Sequence, residues 1–207
     1  MIDVVGVSEG MPEAGLSALG SATVVAGGAR LLEGTANSRR SSARTISLGG
    51  DLAPALDQIA AALTDGERVC VLGSGDPGWF GIVRALGLRF GPATLRVHPA
   101  PSAVSLAFAR LGLAWDDAVV VSAHGRPAPE AARLAACRAK VALLTGPQAP
   151  AAQIGRLLTE LGAIHEHVAI CERLGTTTER VTRTDLTGLT AGRWDDLAVV
   201  VLWSGPG

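Results

Sequence analysis

Between Val69 and Ile82 the chain reads VCVLGSGDPGWFGI, a β-branched apolar run that empties into a glycine-rich turn carrying one carboxylate, Asp76. In an open α/β sheet, ligands bind beyond the carboxyl ends of the strands, where loops and helix amino ends present free backbone N–H groups. Gly73 and Gly75 can adopt positive φ and put no Cβ in a ligand's way, while Pro77 suits the first turn of a following helix. The segment therefore reads as a ligand loop. An ordinary Gly-Asp-Pro turn, with Asp76 as a helix N-cap, is the plainer alternative. Neither a Walker loop nor a dinucleotide fingerprint is present, since no Gly-Lys-Ser/Thr follows and the GxGxxG spacing is missing.

Other residues could also meet a ligand. His124 and Arg126 follow the apolar run Ala118 to Ser122 and precede Pro127 and Pro129, which sets an imidazole and a fixed cation at a strand end beside a hinge. Such a pair can hold an acidic substrate; a local hydrogen bond for His124 and a solvated Arg126 is the alternative. Arg39, Arg40 and Arg44 stand among serines, as a basic loop that closes over carboxylates or as a solvated flexible one. Glu172 lies between Cys171 and Arg173 at the end of another apolar run, within reach of Arg173 or Arg180. His165 and His167 share a strand face without a third ligand nearby, so no metal site is expected. Trp115 and Trp194 read as packing residues, and no Ser-His-Asp, Cys-His or paired-carboxylate arrangement stands out.

The elements that must position these residues follow from hydrophobic periodicity. Ile2 to Val7, Thr23 to Ala26, Thr45 to Leu48, Val69 to Leu72 and Leu95 to His98 are predicted strands. Predicted helices are Met11 to Leu19, one starting in Ala29 to Leu32, Leu52 to Leu63 with Asp51 as its cap, Trp79 to Leu88, and one begun by Pro101 and Ser102. Strand–helix alternation implies a parallel sheet with Val69 to Leu72 at its centre. Ala118 to Ser122 reads as the last strand of this half, and the prolines after Arg126 as a hinge. The expected domains are thus an N-terminal α/β domain over 1–125 and a C-terminal one over 126–207. In the second, Lys140 to Leu144, His167 to Cys171, Glu179 to Thr184 and Leu197 to Trp203 are predicted strands, and Pro150 to Leu161 a helix stopped at Gly162. Two such units imply a binding cleft between them.

Composition narrows the classes of partner. With 207 residues and 48% hydrophobic content, the chain can bury a real core. A formal net charge of −1 gives no field to hold nucleic acid or an anionic membrane, which favours small-molecule chemistry. Three scattered cysteines, Cys70, Cys137 and Cys171, suit a reducing cytoplasm and act as small hydrophobes. Neither a signal peptide nor a membrane span is apparent.

The ordered segments VVGVSEG, LGSGDPGWFGI, HPAPSAVSLAFARLG, VSAHGR, LLTG and AICERLGTTTERV resemble the tetrapyrrole methylase family over nearly the whole chain. Ala100-Pro101-Ser102 leading to Leu106-Ala107-Phe108-Ala109-Arg110-Leu111-Gly112, then Ser122-x-His124-Gly125-Arg126, is similar to the cobalamin-pathway branch that methylates precorrin-6Y at carbons 5 and 15. The resemblance implies two α/β domains, S-adenosylmethionine in the cleft between them, a precorrin substrate and a homodimer. By motif position it implies donor contacts from Ser74, Gly75, Asp76 and Trp79, from Ser102 and Ala103, from Thr145, from Glu172 and Leu174, and from Glu9 in the turn after the first strand. Asp76, His124 and Arg126 are the expected catalytic residues, Asp76 to orient substrate or stabilise charge near the sulfonium and the other two to meet substrate carboxylates. Methyl transfer to a ring carbon asks chiefly for alignment, and a conjugated macrocycle demands no protein base.

Two departures from the pattern stand out. Ser8-Glu9-Gly10 replaces the family's Gly-Pro-Gly turn, and Trp79-Phe80 replaces the branch's frequent Phe-Tyr in a chain without tyrosine. The resemblance further implies a C-terminal domain that methylates carbon 15 and removes a carboxyl group. The ending Trp203-Ser204-Gly205-Pro206-Gly207 reads as a linker stub, so the expectation is a stand-alone carbon-5 methylase or the N-terminal half of a fusion. Rival readings are a methylase of another ring position, of ribosomal RNA or of a modified histidine, with the charge balance against RNA, and a donor-binding module that serves a partner domain.

Overall fold

Apolar runs become strands and helical periodicity becomes helices, in the order expected for the first half. The computed structural model describes residues 1–123 and 127–205. Its elements begin with β1 (Ile2–Val7), α1 (Glu13–Ser21), β2 (Val24–Gly27), α2 (Ala29–Gly34), β3 (Arg44–Ser47), α3 (Ala53–Thr64), β4 (Val69–Ser74), α4 (Val83–Phe90) and β5 (Leu95–His98). The strands form one sheet in the order β3-β2-β4-β1-β5, every pair parallel. Alternate residues of each strand face opposite sides, as the pleat requires. Ile2, Val4, Val69 and Val71 join Ile59 and Leu86 of α3 and α4 on one face. Val5, Val25, Cys70 and Leu72 join Ala18 and Leu19 of α1 on the other, with Leu31 and Leu32 of α2 against them.

This arrangement singles out one edge of the sheet. β1 and β4 are neighbours, yet the chain leaves β1 for the α1 face and leaves β4 for the α4 face. Their carboxyl ends therefore open a crevice, the topological switch point of the sheet.

The second sheet is mixed. It comprises β6 (Val119–Ser122), β7 (Lys140–Leu144), β8 (His167–Glu172), β9 (Arg180–Thr184) and β10 (Ala198–Trp203), in the order β6-β7-β10-β8-β9. β6 runs parallel to β7, whereas β10 is antiparallel to both β7 and β8, and β9 is antiparallel to β8. α6 (Ala128–Ala136), α7 (Ala151–Glu160) and α8 (Leu186–Ala191) cover one face through Ala132, Ile154, Leu158 and Leu189. α5 (Ala103–Leu111) covers the other through Val104, Ala107 and Phe108, which pack on Ala142, Ala169, Val201 and Trp203.

The chain divides into two compact units, Met1–Ser102 and Ala103–Gly207. This differs from the expected boundary between 125 and 126, and the cause is pairing. Ala118 to Ser122 continues no parallel sheet of the first half, because Val119 to Ser122 hydrogen-bonds to Val141 to Leu144 in the second sheet and α5 packs on that sheet. The prolines after Arg126 start α6 rather than a hinge, with Pro127 as its N-cap. The segment Trp79 to Ile82 is turn rather than helix, and α4 starts only at Val83. Arg44 of the basic segment lies away from the carboxyl edge. Arg44 opens β3 level with Val24 and Val69, so it stands at the amino edge of the parallel sheet, ~16 Å along the strands from Ser74. It pairs there with Glu67 at 3.0 Å, so of the two readings of this segment Arg44 follows the solvated one.

One position tests the crevice directly. A Cβ on Gly6 would run into the Gly75 carbonyl oxygen and the Ala100 nitrogen, whereas one on Gly10 would meet nothing within 4 Å. Gly6→Ala should lower unfolding free energy in urea by about 2–3 kcal/mol, the cost of overpacking rigid backbone, while Gly10→Ala leaves it within 0.5 kcal/mol, a difference read from the two denaturation midpoints.

Candidate functional site

The carboxyl edge of the first sheet is assembled by backbone contacts. Val7 lies opposite Ser74 in register, the Gly75 N–H donates to the Val7 carbonyl at 2.8 Å, and the Ala100 N–H donates to the Gly75 carbonyl at 3.3 Å. The ends of β1, β4 and β5 are thereby drawn together at one point. Gly75 has φ +62, so glycine there serves the turn as well as the close approach. Pro77 packs back on Gly73, whose added Cβ would stand 3.1 Å from the proline ring.

Asp76 does not cap α4, which has Ile82 at its N-cap position. Its Oδ1 instead accepts from the Gly78 N–H at 2.8 Å and closes a short turn within the loop. The Trp79 N–H donates to the Asp76 carbonyl at 3.1 Å and the Val83 N–H to the Pro77 carbonyl at 3.2 Å. Trp79 and Phe80 end up outside, their rings 5.9 Å apart and at 82°. Ser74 and Glu9 are exposed at the same edge, and Ser102 is half-buried in the segment between β5 and α5. The first unit thus brings Glu9, Ser74, Gly75, Asp76, Trp79 and Ser102 to one edge.

In the second unit the expected contacts have structural duties. The Thr145 side chain is buried at the end of β7, where its hydroxyl donates to the Asp196 carbonyl at 2.8 Å and accepts from the Ala198 N–H at 2.8 Å. It ties β7 to β10. Glu172 ends β8 with 0% exposure, yet its carboxylate is fully engaged, by Arg180 at 2.6 and 2.8 Å and by the Asp195 N–H at 2.8 Å. Burial pushes this carboxyl up, but the hydrogen bonds from Arg180 and Asp195 and the nearby guanidinium charges outweigh it and hold the group below the usual glutamate value. The pairing with Arg180 is as the sequence allows; its burial is not. Arg180 in turn lies 5.8 Å over the Trp194 ring.

Glu179 braces the loop between β8 and β9. It accepts from Arg110 of α5 at 2.5 Å and from the Gly175 N–H at 2.7 Å. Leu174 packs against the α5 face of the sheet, and Ala103 is exposed at the start of α5. His124 and Arg126 lie outside the described residues. Two participants are not assigned a role from the sequence: Phe80 and Asp195. Phe80 signals itself only as the aromatic neighbour of Trp79, and Asp195 contributes a main-chain N–H that no side-chain pattern reveals.

The remaining candidates are structural. Burial pushes the Cys70 and Cys171 thiols up to about 12, so neither is a thiolate nucleophile at neutral pH. His165 Nε2 donates to the Arg138 carbonyl at 2.8 Å, and His167 lies 5.0 Å from the Trp203 ring. Trp115 stacks on Phe108 at 5.7 Å, and the Trp194 indole N–H donates to the Leu189 carbonyl at 2.8 Å. Among the described residues no helix is long and apolar enough to cross a membrane.

Comparison with known proteins gives this geometry a context. The family model described as Tetrapyrrole (Corrin/Porphyrin) Methylases matches residues 5–190. A Sinorhizobium protein named precorrin-6Y C(5,15)-methyltransferase (decarboxylating) is 41% identical over 117 residues, which make up 56% of this chain and 28% of that relative. A Salmonella typhimurium protein named cobalt-precorrin-7 C(5)-methyltransferase is 34% identical over 185 residues, 87% of this chain and 89% of that one. In fold, the chain is similar to uroporphyrin-III C-methyl transferase from Thermus thermophilus, solved with S-adenosyl homocysteine, at a TM-score of 0.77, 20% identity and coverage of 98% and 91% of the two chains.

The Glu172–Arg180 pair has a pH signature. A carboxylate held below its unfolded value, here below 4.5, adds stability that is fully present above that value and is lost as pH falls through the folded one. Glu172→Gln should cost about 1–2 kcal/mol at pH 7, less than a fully buried pair because the Arg180 side chain is 46% exposed. The difference between variant and wild type should shrink below pH 4.5, as followed by denaturant unfolding across pH 3 to 7.

Proposed function

The chain belongs to the tetrapyrrole methylase family, and from that premise we propose that it transfers a methyl group from S-adenosylmethionine to carbon 5 of a precorrin, either precorrin-6Y or cobalt-precorrin-7, in cobalamin biosynthesis. The observation that carries this reading is the Salmonella relative, named for carbon-5 methylation, which matches along 87% of this chain and 89% of its own. The loop geometry is consistent with it. Gly75 lacks a side chain at the switch-point crevice, and Asp76 sets an anionic group beside it, which suits a cationic donor.

When bound, S-adenosylmethionine supplies an electrophilic methyl group on a positively charged sulfur. Ser74, Gly75 and Asp76 of the loop, with Ser102 and Glu9 at the same edge, hold it by this reading, and Ala103, Thr145, Glu172 and Leu174 contribute from the second unit. Thr145 and Glu172 do so through the backbone they position, since their side-chain groups are already paired. Asp76 keeps its second carboxylate oxygen for the sulfonium or the substrate while the first holds the turn. His124 and Arg126 receive substrate carboxylates, and Arg126→Ala weakens the precorrin more than the donor. The substrate ring supplies the attacking electron pair, so the protein's main contribution is alignment and exclusion of water. The chain works as a cytosolic homodimer in this proposal, in keeping with its free thiols, with carbon-15 methylation and decarboxylation left to a second domain or subunit.

The test is transfer of a carbon-13 methyl from labelled donor to precorrin-6Y or cobalt-precorrin-7, with the new methyl located by NMR. A signal at carbon 5 supports the reading; a folded, donor-binding chain that methylates neither compound overturns it in favour of a module awaiting its partner domain. Asp76→Asn keeps an oxygen for the Gly78 N–H and removes the charge, so it should leave the melting temperature within 2 °C and cut turnover by about 10²-fold, as measured by initial rates.

A further inference from the structure

Phe80 sits in the left-handed region, at φ +53, in a loop otherwise built from residues that suit their conformations. A bulky non-glycine residue rarely adopts this backbone state, and when it persists the surrounding structure enforces it. Here the enforcement is visible on both sides. Asp76 pins the Gly78 N–H, the Val83 N–H is fixed to the Pro77 carbonyl, and a Cβ on Gly81 would collide with the Pro77 carbonyl. The cost is not repaid by burial, because Phe80 is 50% exposed and the adjoining Trp79 is 44% exposed. Two large aromatic rings, edge to face, are therefore held out in water at the carboxyl edge of the central strand.

We propose that Trp79 and Phe80 form an aromatic platform for one face of the conjugated macrocycle, one ring stacking on that face and the other meeting it edge-on as their 82° angle requires, with Phe80 discriminating the tetrapyrrole and neither ring contributing to donor affinity. This rests on the methylase reading above and assigns Trp79 to the substrate rather than the donor. A small heterocycle such as adenine gains most from a closed slot that covers both its faces, whereas an extended ring system matches an open surface of two adjacent rings. Aromatic contact also suits the apolar centre of a substrate whose carboxylates lie at its rim. The main competing occupant, a second copy of the chain, is separated by the measurement.

The decisive variant is Phe80→Gly, because it removes the ring and at the same time relieves the backbone. It should melt at or above the wild-type temperature, bind S-adenosylhomocysteine within twofold of wild type, stay in the same oligomeric state, and bind the tetrapyrrole about tenfold more weakly, with Phe80→Tyr restoring affinity. Binding is read by calorimetry with S-adenosylhomocysteine and by tetrapyrrole quenching of protein fluorescence with precorrin-6Y or cobalt-precorrin-7. Unchanged tetrapyrrole affinity in Phe80→Gly, a matching loss of donor affinity, or a change of oligomeric state overturns the platform while leaving the methylase reading in place. A wild-type chain that binds donor but neither tetrapyrrole overturns both.

Discussion

Backbone touches backbone where β1, β4 and β5 end, and everything proposed for the first unit depends on that contact. Gly6, Gly75 and Ala100 come so close that a side chain at Gly6 has no place to go. Two main-chain hydrogen bonds, from Gly75 to Val7 and from Ala100 to Gly75, then fix the loop after β4 and the turn after β5 as one piece. The ligand loop is thus carried by the centre of a parallel sheet, whose strands are buried on both faces and are the stiffest part of the unit. Its glycines, acid and exposed aromatics are presented by the scaffold at the switch point, with little left to local flexibility.

The second unit reaches a comparable edge by different means. β10 enters antiparallel between β7 and β8, so its first residues stand beside the last residues of both. Polar groups at that junction are buried and must be satisfied internally. Thr145 does this across β7 and β10, and Glu172 does it with Arg180 and the Asp195 N–H. The family resemblance places such residues at a ligand site, while in the structure their side chains tie strand ends together. Loops that meet ligands need this bracing, since a chain end that shifted by an ångström would misalign the reacting atoms.

Much of this was legible in the chain. β1 and β4, with their valine-rich runs, declare a central parallel sheet, and the glycines after β4 mark the loop at its carboxyl edge. What escaped did so for physical reasons. Val119 to Ser122 has the composition of a strand in either half, and only its pairing with β7 assigns it to the second. Periodicity through Trp79 and Phe80 mimics a helix, but the Asp76–Gly78 bond and the positive φ of Phe80 keep that stretch as turn. Two prolines after Arg126 suggest a hinge, while proline is equally at home in the first turn of α6. The three arginines around the serine segment carry charge without any register, and the parallel pairing of β3 with β2 sends Arg44 to the far edge.

Titration of the purified chain with S-adenosylhomocysteine by calorimetry tests the account most directly, because the donor pocket underlies every functional role assigned to these residues. The account predicts saturable binding with one molecule per chain, weakened in Asp76→Ala and retained in Phe80→Gly. A folded wild-type sample that takes up no S-adenosylhomocysteine would contradict it, leaving the family fold without the methyl-transfer chemistry.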